Sequence, residues 1–132
     1  YIVLCDRYIY TALARDAVRG VDRDWVERLY SFAVHPDITL FFRAPLETSL
    51  QRILEGRPQL KYHEAGLDMG WSPDPYESFR IFQSKILAEY EAMIDPFGFT
   101  VIDATHEIHI QQAEVRSLIA NRIDLPAFRR RF

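Results

Sequence analysis

Apolar residues in this chain fall into two kinds of run. Three runs are short and continuous: Ile2–Cys5 in "YIVLC", Ile38–Phe42 in "PDITLFF" and Phe99–Ile102 in "FGFTVID". Continuity without alternation predicts strands covered on both faces, as in a parallel sheet. The remaining apolar positions recur at three- and four-residue steps and predict helices. Trp25, Val26, Leu29, Tyr30 and Ala33 share one face over residues 24–34, which His35-Pro36-Asp37 stops; Leu46, Leu50, Ile53 and Leu54 do the same after Pro45. The longest stripe is Phe79, Phe82, Ile86, Tyr90 and Met93. Ahead of it, Asp74 can cap the first turn, Pro75 suits its first position, and Glu77 can reach back to the cap backbone. A last helix carries Ile108, Val115, Leu118, Ile119 and Arg122 before Pro126 ends it. Strand, helix, strand, helix, strand, helix predicts an α/β fold, part of a doubly wound parallel sheet with three recognisable strands and flanking helices.

One region breaks the periodicity. Residues 55–75, "EGRPQLKYHEAGLDMGWSPDP", hold three of the five glycines and three of the seven prolines. A loop of that length in a compact domain is a lid, a binding loop or a disordered stretch. Residues 1–125 are expected to form one domain containing this lid-like loop, followed by a basic tail at 126–132 whose "FRRRF" reads as a solvated end.

Composition changes this picture little. At 132 residues with 48% apolar content the chain can bury a core, and a net charge of -3 implies neither a nucleic-acid coat nor an acidic solvating tail. No run approaches the roughly 20 apolar residues of a membrane span. Of sixteen basic residues only Lys61 and Lys85 are lysines; that bias fits planar recognition of phosphate or carboxylate, and base composition of a genome produces it equally. The single cysteine, Cys5, excludes an internal disulfide, fits a reducing, cytoplasmic setting, and is expected to be a small buried hydrophobe.

Candidate chemistry gathers at strand ends, where open parallel sheets bind ligands. Asp6 and Arg7 follow the first apolar run. An aspartate there can hold a metal or its water and an arginine can take a phosphate in a two-pronged contact, although the same dipeptide makes surface ion pairs and caps. Arg15 and Arg19 lie four apart with Asp16 beside them, either over that strand end or as a solvated helix face. Arg52, Arg57 and Lys61 enter the long loop, where they could close on a polyphosphate or serve solubility. His106 and His109 have no third ligand at metal spacing and read as an exposed helix start.

Four segments, "YIVLCDRYIYTALA", "PDITLFFRAPLETSLQRI", "GRPQLKYHE" and "FTVIDATHEIHIQQAEV", resemble in order and spacing the later two-thirds of thymidylate kinases, from Tyr1 to about Arg122. The resemblance implies a P-loop kinase-like fold and transfer of the ATP γ-phosphoryl group to dTMP, giving dTDP, with Mg2+. It places Arg7 and Tyr8 at the acceptor phosphate and gives Asp6 the magnesium, through water, or the acceptor. The helix bearing Arg15, Asp16 and Arg19 would lie on the acceptor side. Arg57 would match the lid arginine, with Arg52 and Lys61 as neighbours, and Asp103, Ala104 and Thr105 the segment beside the donor adenine. The family also implies a homodimer through helices, for which the Trp25–Ala33 face is a candidate.

Two features depart from the family. Where its members commonly carry Tyr-Gln on the helix after Asp-Arg, this chain has Arg15-Asp16, which opens the acceptor base to question. No glycine precedes a lysine, so the phosphate-cradling G-x-x-x-x-G-K-[ST] loop is not in this sequence. The expectation is therefore a carboxyl-terminal portion of such an enzyme, inactive by itself, that self-associates or pairs with a preceding segment. The alternatives are a non-catalytic nucleotide-binding or regulatory module, and a deoxynucleoside kinase with a different acceptor.

Overall fold

The computed structural model describes residues 2–129, and Arg129 by its backbone alone. It is an α/β arrangement with a two-stranded parallel sheet and flanking helices. In chain order come α1 (Tyr8–Val18), α2 (Arg23–Leu29), β1 (Leu40–Arg43), α3 (Leu46–Gly56), a 3-10 turn (Leu67–Met69), α4 (Pro75–Phe97), β2 (Thr100–Asp103), α5 (Ile108–Arg122) and α6 (Leu125–Arg129). In the sheet Leu40 pairs with Thr100, Phe41 with Val101, Phe42 with Ile102 and Arg43 with Asp103.

α4 organises the rest. Asp74 caps it, its Oδ1 accepting from the Glu77 backbone N–H at 2.7 Å, and Pro75 opens the first turn. Glu77 does not return to the cap backbone directly. Its carboxylate accepts from the Ser72 hydroxyl at 2.6 Å, and that oxygen accepts from the Asp74 N–H at 3.1 Å. The helix ends where Gly98 adopts φ 63, a left-handed conformation that a residue without Cβ reaches freely. The apolar stripe expected for α4 is its buried face: Phe82, Ile86 and Met93 join Tyr10, Leu13, Ala14, Val26 and Phe99 in the main core. Phe79 instead packs with Leu50 and Ala65 in a second cluster under the long loop.

The first apolar run is not a strand. Tyr1 lies outside the described residues; Ile2, Val3 and Leu4 have no regular structure and are 51%, 75% and 91% exposed. An apolar run becomes a strand only where a neighbouring backbone completes its hydrogen bonds, and among the described residues none lies beside it. Cys5 is correspondingly exposed rather than buried.

Other expectations shift by a few residues. α2 stops at Leu29, after which Ser31 and Ala33 bond to carbonyls three residues back. Only Val26 of its expected face is buried, so packing does not reward further helix. Ile123 is extended and ends α5, so Pro126 does not terminate that helix; it lies in the first turn of α6, where its missing N–H has no role. Arg130 and the rest of the tail lie outside the described residues.

The long loop is folded inward. The Ser78 hydroxyl donates to the Ala65 carbonyl at 2.7 Å, and the Gln83 amide donates to the Glu64 carbonyl at 2.8 Å. Gly66 sits at φ 68, and a Cβ there would stand 2.5 Å from the Phe82 Cβ and Cγ. Only glycine allows this backbone to lie on α4.

Candidate functional site

α1 begins directly after Asp6-Arg7, so the acid and the arginine stand at its amino end while Arg15, Asp16 and Arg19 follow along its length. Asp6, Arg7, Tyr8, Thr11, Arg15, Asp16 and Arg19 line one groove of about 650 Å³, together with Ala12 and, from the long loop, His63. Position after the first apolar run and the four-residue spacing of Arg15 and Arg19 both point to this grouping. A second cleft, about 600 Å³, opens at the carboxyl end of β1 and shares Arg7, Arg15 and His63 with the groove. Its walls carry Phe41, Phe42, Phe79, Ile86 and Tyr90 on the apolar side and Arg57, Lys61, Glu64 and Gln83 on the polar side. Arg7 and Arg15 thus stand where the two depressions meet.

These cations differ in what they already hold. Arg57 is ion-paired with Glu64, whose carboxylate also accepts from the Lys61 backbone N–H at 3.4 Å. Arg19 donates to Asp68 Oδ2 at 3.0 Å and to the His63 carbonyl at 3.5 Å, and its guanidinium lies 4.6 Å from the centre of the Phe82 ring. Burial pushes the Asp68 carboxyl up, but the hydrogen bond and charge of Arg19, with a backbone hydrogen bond and the nearby His63 adding to them, outweigh it and hold the group below its ordinary 3.8. By contrast, the side chains of Asp6, Arg7, Arg15 and Lys61 make no hydrogen bond or ion pair among the described residues.

The structure does not gather every expected site residue. Arg52 turns away from Arg57 and Lys61 and donates to the Ala104 carbonyl at 2.8 Å. Asp103 is exposed at the end of β2, with Oδ1 accepting from the Thr105 hydroxyl at 2.7 Å and the Thr105 N–H at 2.8 Å. The Thr105 hydroxyl, then its N–H, hold the Asp103 carboxyl below the ordinary range against a small opposing desolvation. Asp103, Ala104 and Thr105 line neither the groove nor the cleft. Conversely, Thr11, His63, Glu64 and Gln83 line these depressions with no role expected of them, and Tyr90, expected only as a core position, lines the cleft. The acid three residues after Lys61 was the one local signal among them.

Among the described residues no three His, Cys, Asp or Glu side chains converge on a metal site. Asp6, exposed and without a partner among the described residues, does fit magnesium, which takes one or two carboxylates and fills its remaining positions with water and substrate phosphates. No helix among the described residues is long and apolar enough to cross a membrane.

A layered α/β fold with a cationic cleft at a strand's carboxyl end defines a broad class of phosphate-handling proteins. Comparison with known proteins narrows the class. Residues 1–115 match the thymidylate kinase family. The chain is 39% identical over 125 residues to "Probable thymidylate kinase 2" of Saccharolobus solfataricus, covering 94% of this chain and 59% of the relative. It is 28% identical over 111 residues to "Probable thymidylate kinase" of Methanocaldococcus jannaschii, covering 81% and 50%, and 28% identical over 122 residues to that of Caldivirga maquilingensis, covering 92% and 53%. This chain belongs to the thymidylate kinase family. It spans between 50% and 59% of the length of these three relatives.

Proposed function

We propose that the protein is a nucleoside monophosphate kinase that transfers the γ-phosphoryl group of ATP to dTMP, yielding dTDP and ADP. The observation that carries this reading is the meeting of three cations, Arg7, Arg15 and Lys61, whose side chains have no partner among the described residues, in a cleft walled by Phe41, Phe42 and Tyr90. Aromatic surface beside free guanidinium groups fits a planar base attached to phosphate. Arg7 grips the acceptor phosphate, with Tyr8 beside it, and Arg15, Asp16 and Arg19 belong to the acceptor side. Arg57 and Lys61, on the loop that closes the cleft, take the donor phosphates, and Asp103, Ala104 and Thr105 lie toward the donor adenine. Arg52, held on Ala104, is the least suited of the expected lid residues.

Asp6 would hold magnesium through water, and the ion would supply neutralising charge at the ATP phosphates. In the transfer an acceptor phosphate oxygen bonds to the γ-phosphorus as the bridge to the β-phosphate breaks. The residues of this chain contribute by positioning and by charge, the main sources of catalysis for this reaction. The reading also carries a cytoplasmic location and a homodimer through α2, where Trp25 and Leu29 are about half exposed; sedimentation of wild type and Trp25→Glu tests the dimer, which a monomeric wild type would refute.

The test of activity uses the protein expressed from its complete gene, with dTDP formation followed by chromatography. Turnover with dTMP and ATP, lost in Arg7→Met, is expected; absence of both turnover and nucleotide binding overturns the reading. The 132-residue polypeptide by itself is expected to release no ADP, since no glycine in it precedes a lysine.

A second reading keeps the kinase and changes the acceptor. It is favoured by Arg15 and Asp16 both lining the groove where the family commonly carries Tyr-Gln. A panel of deoxynucleosides and their monophosphates, run on wild type and Arg15→Tyr, separates the two: a wild-type preference for dTMP sinks the alternative.

A further inference from the structure

Arg7 has φ 68 and ψ -7, the only left-handed residue other than glycine among those described. That conformation is disfavoured for any side chain with a Cβ and persists where surrounding structure imposes it. Arg7 is the N-cap residue of α1 but makes no capping bond with its side chain, so its own guanidinium does not enforce the geometry. The Arg7 carbonyl, by contrast, is held from outside. The Thr11 hydroxyl donates to the Arg7 carbonyl at 2.6 Å, and the Thr11 oxygen lies 3.0 Å from the Tyr90 hydroxyl. A threonine hydroxyl has one proton. With that proton on the Arg7 carbonyl, Tyr90 is the donor in the second contact. Tyr90 is itself fixed, its ring stacked on Phe41 with centres 5.5 Å apart and planes 21° from parallel.

We propose that Thr11 and Tyr90 are positioning residues for Arg7: a relay from β1 through the Tyr90 ring on α4 and the Thr11 hydroxyl on α1 holds the arginine's backbone where its side chain meets both groove and cleft. A threonine bonded to the carbonyl one turn back is common in helices and would by itself be structural. The distant tyrosine and the left-handed residue at the relay's end give it a direction. Losing the relay releases the Arg7 backbone toward ordinary helical or extended geometry while leaving every charge in the site present. The proposal rests on reading Arg7 as an acceptor-phosphate residue, and it adds two neutral side chains to the determinants of phosphate binding.

Tyr90→Phe keeps the stacked ring and removes one donor. Thr11→Val keeps the shape and removes both bonds, whereas Thr11→Ser restores them. The experiment measures calorimetric affinities of the complete gene product for dTMP and for thymidine, and the NMR intraresidue Hα–HN contact of Arg7, which is strong only at positive φ. Expected are a loss of dTMP affinity on the order of tenfold in Tyr90→Phe and Thr11→Val, the effect of one weakened charged hydrogen bond. Thymidine affinity should hold, Thr11→Ser should behave as wild type, and the Arg7 contact should weaken in the first two variants. Equal losses for dTMP and thymidine would mark a merely structural role and overturn the proposal, as would an unchanged Arg7 contact. Should wild type bind no nucleotide, the kinase reading falls while the Arg7 signal still decides whether the relay exists.

Discussion

Among the described residues Arg7 and Arg15 on the α1 side of the cleft have no side-chain partner, whereas the arginines that secure the long loop are paired: Arg57 with Glu64, and Arg19, at the end of α1, with Asp68. Arg15 and Arg19 are one helical turn apart and look equivalent in the sequence, yet Arg19 is held by a carboxylate, two carbonyls and an aromatic face. The contrast separates two uses of one side chain. A paired guanidinium fixes the shape of the protein. Unpaired ones facing a common cleft repel each other until an anion arrives, so their grouping marks a binding capacity.

The largest effect should come from unseating the loop. Gly66→Ala places a Cβ against Phe82 and forces a side-chain-bearing residue to φ 68. Overpacking and the disfavoured backbone together are expected to destabilise the fold by about 3 kcal/mol. Urea denaturation measures it, and a loss below about 0.5 kcal/mol would show that the loop does not depend on this contact.

Next in size is removal of the free cations. Arg7→Met and Arg15→Met should each weaken nucleotide binding by about 2 kcal/mol, roughly thirty-fold, with little change in the unfolding midpoint. Arg19→Met should do the reverse, lowering stability more than affinity. Equal behaviour of Arg15→Met and Arg19→Met would erase the distinction between paired and unpaired arginines.

Legibility in the sequence follows the reach of each interaction. α4 could be read almost entirely, because its cap, its first-turn proline and its apolar stripe are local. β1 and β2 could be read because each has the other as neighbour. Ile2–Cys5 carries the same apolar signal and fails, because a strand depends on a partner backbone that its own residues do not specify. The groove on α1 could be foreseen from the four-residue spacing of Arg15 and Arg19. The Asp68 that captures Arg19 lies 49 residues away, beyond any periodic pattern. Arg52 was grouped with Arg57 by proximity in the chain, but the face it occupies on α3 turns it to Ala104. Tyr90 was visible as a core position; nothing in the stripe disclosed the use of its hydroxyl.

A smaller effect is expected at the Arg19–Asp68 pair from the acid's side. Asp68→Asn keeps one hydrogen bond to Arg19 and loses the charge, so about 1 kcal/mol of stability should go, near 4 °C in midpoint. Because Asp68 in the folded protein sits below its ordinary 3.8, the pair's contribution is complete above that value and disappears as pH falls through the folded one. The stability gap between wild type and Asp68→Asn should therefore be present above the ordinary 3.8 and close as pH falls through the lower folded value. A gap that persists in acid would mean that the charge of Asp68 is not what Arg19 uses.

The smallest effect belongs to a pair with better geometry and a poorer setting. Arg80 grips Glu47 with two nitrogens, Nε at 2.8 Å and Nη2 at 3.2 Å, tying α4 to α3. The hydrogen bond from Arg80, then a smaller opposing desolvation and the arginine's charge, leave the Glu47 carboxyl below its ordinary 4.5. Both side chains are open to water, 48% and 67% exposed. Solvent and salt screen such a pair, and holding two long side chains in one geometry offsets its attraction. Glu47→Gln should leave the urea midpoint of the wild type unchanged, in low salt and in 0.5 M salt alike. A clear loss confined to low salt would show that exposed two-pronged pairs matter here, and the line between structural and available arginines would then have to be drawn by geometry rather than by burial.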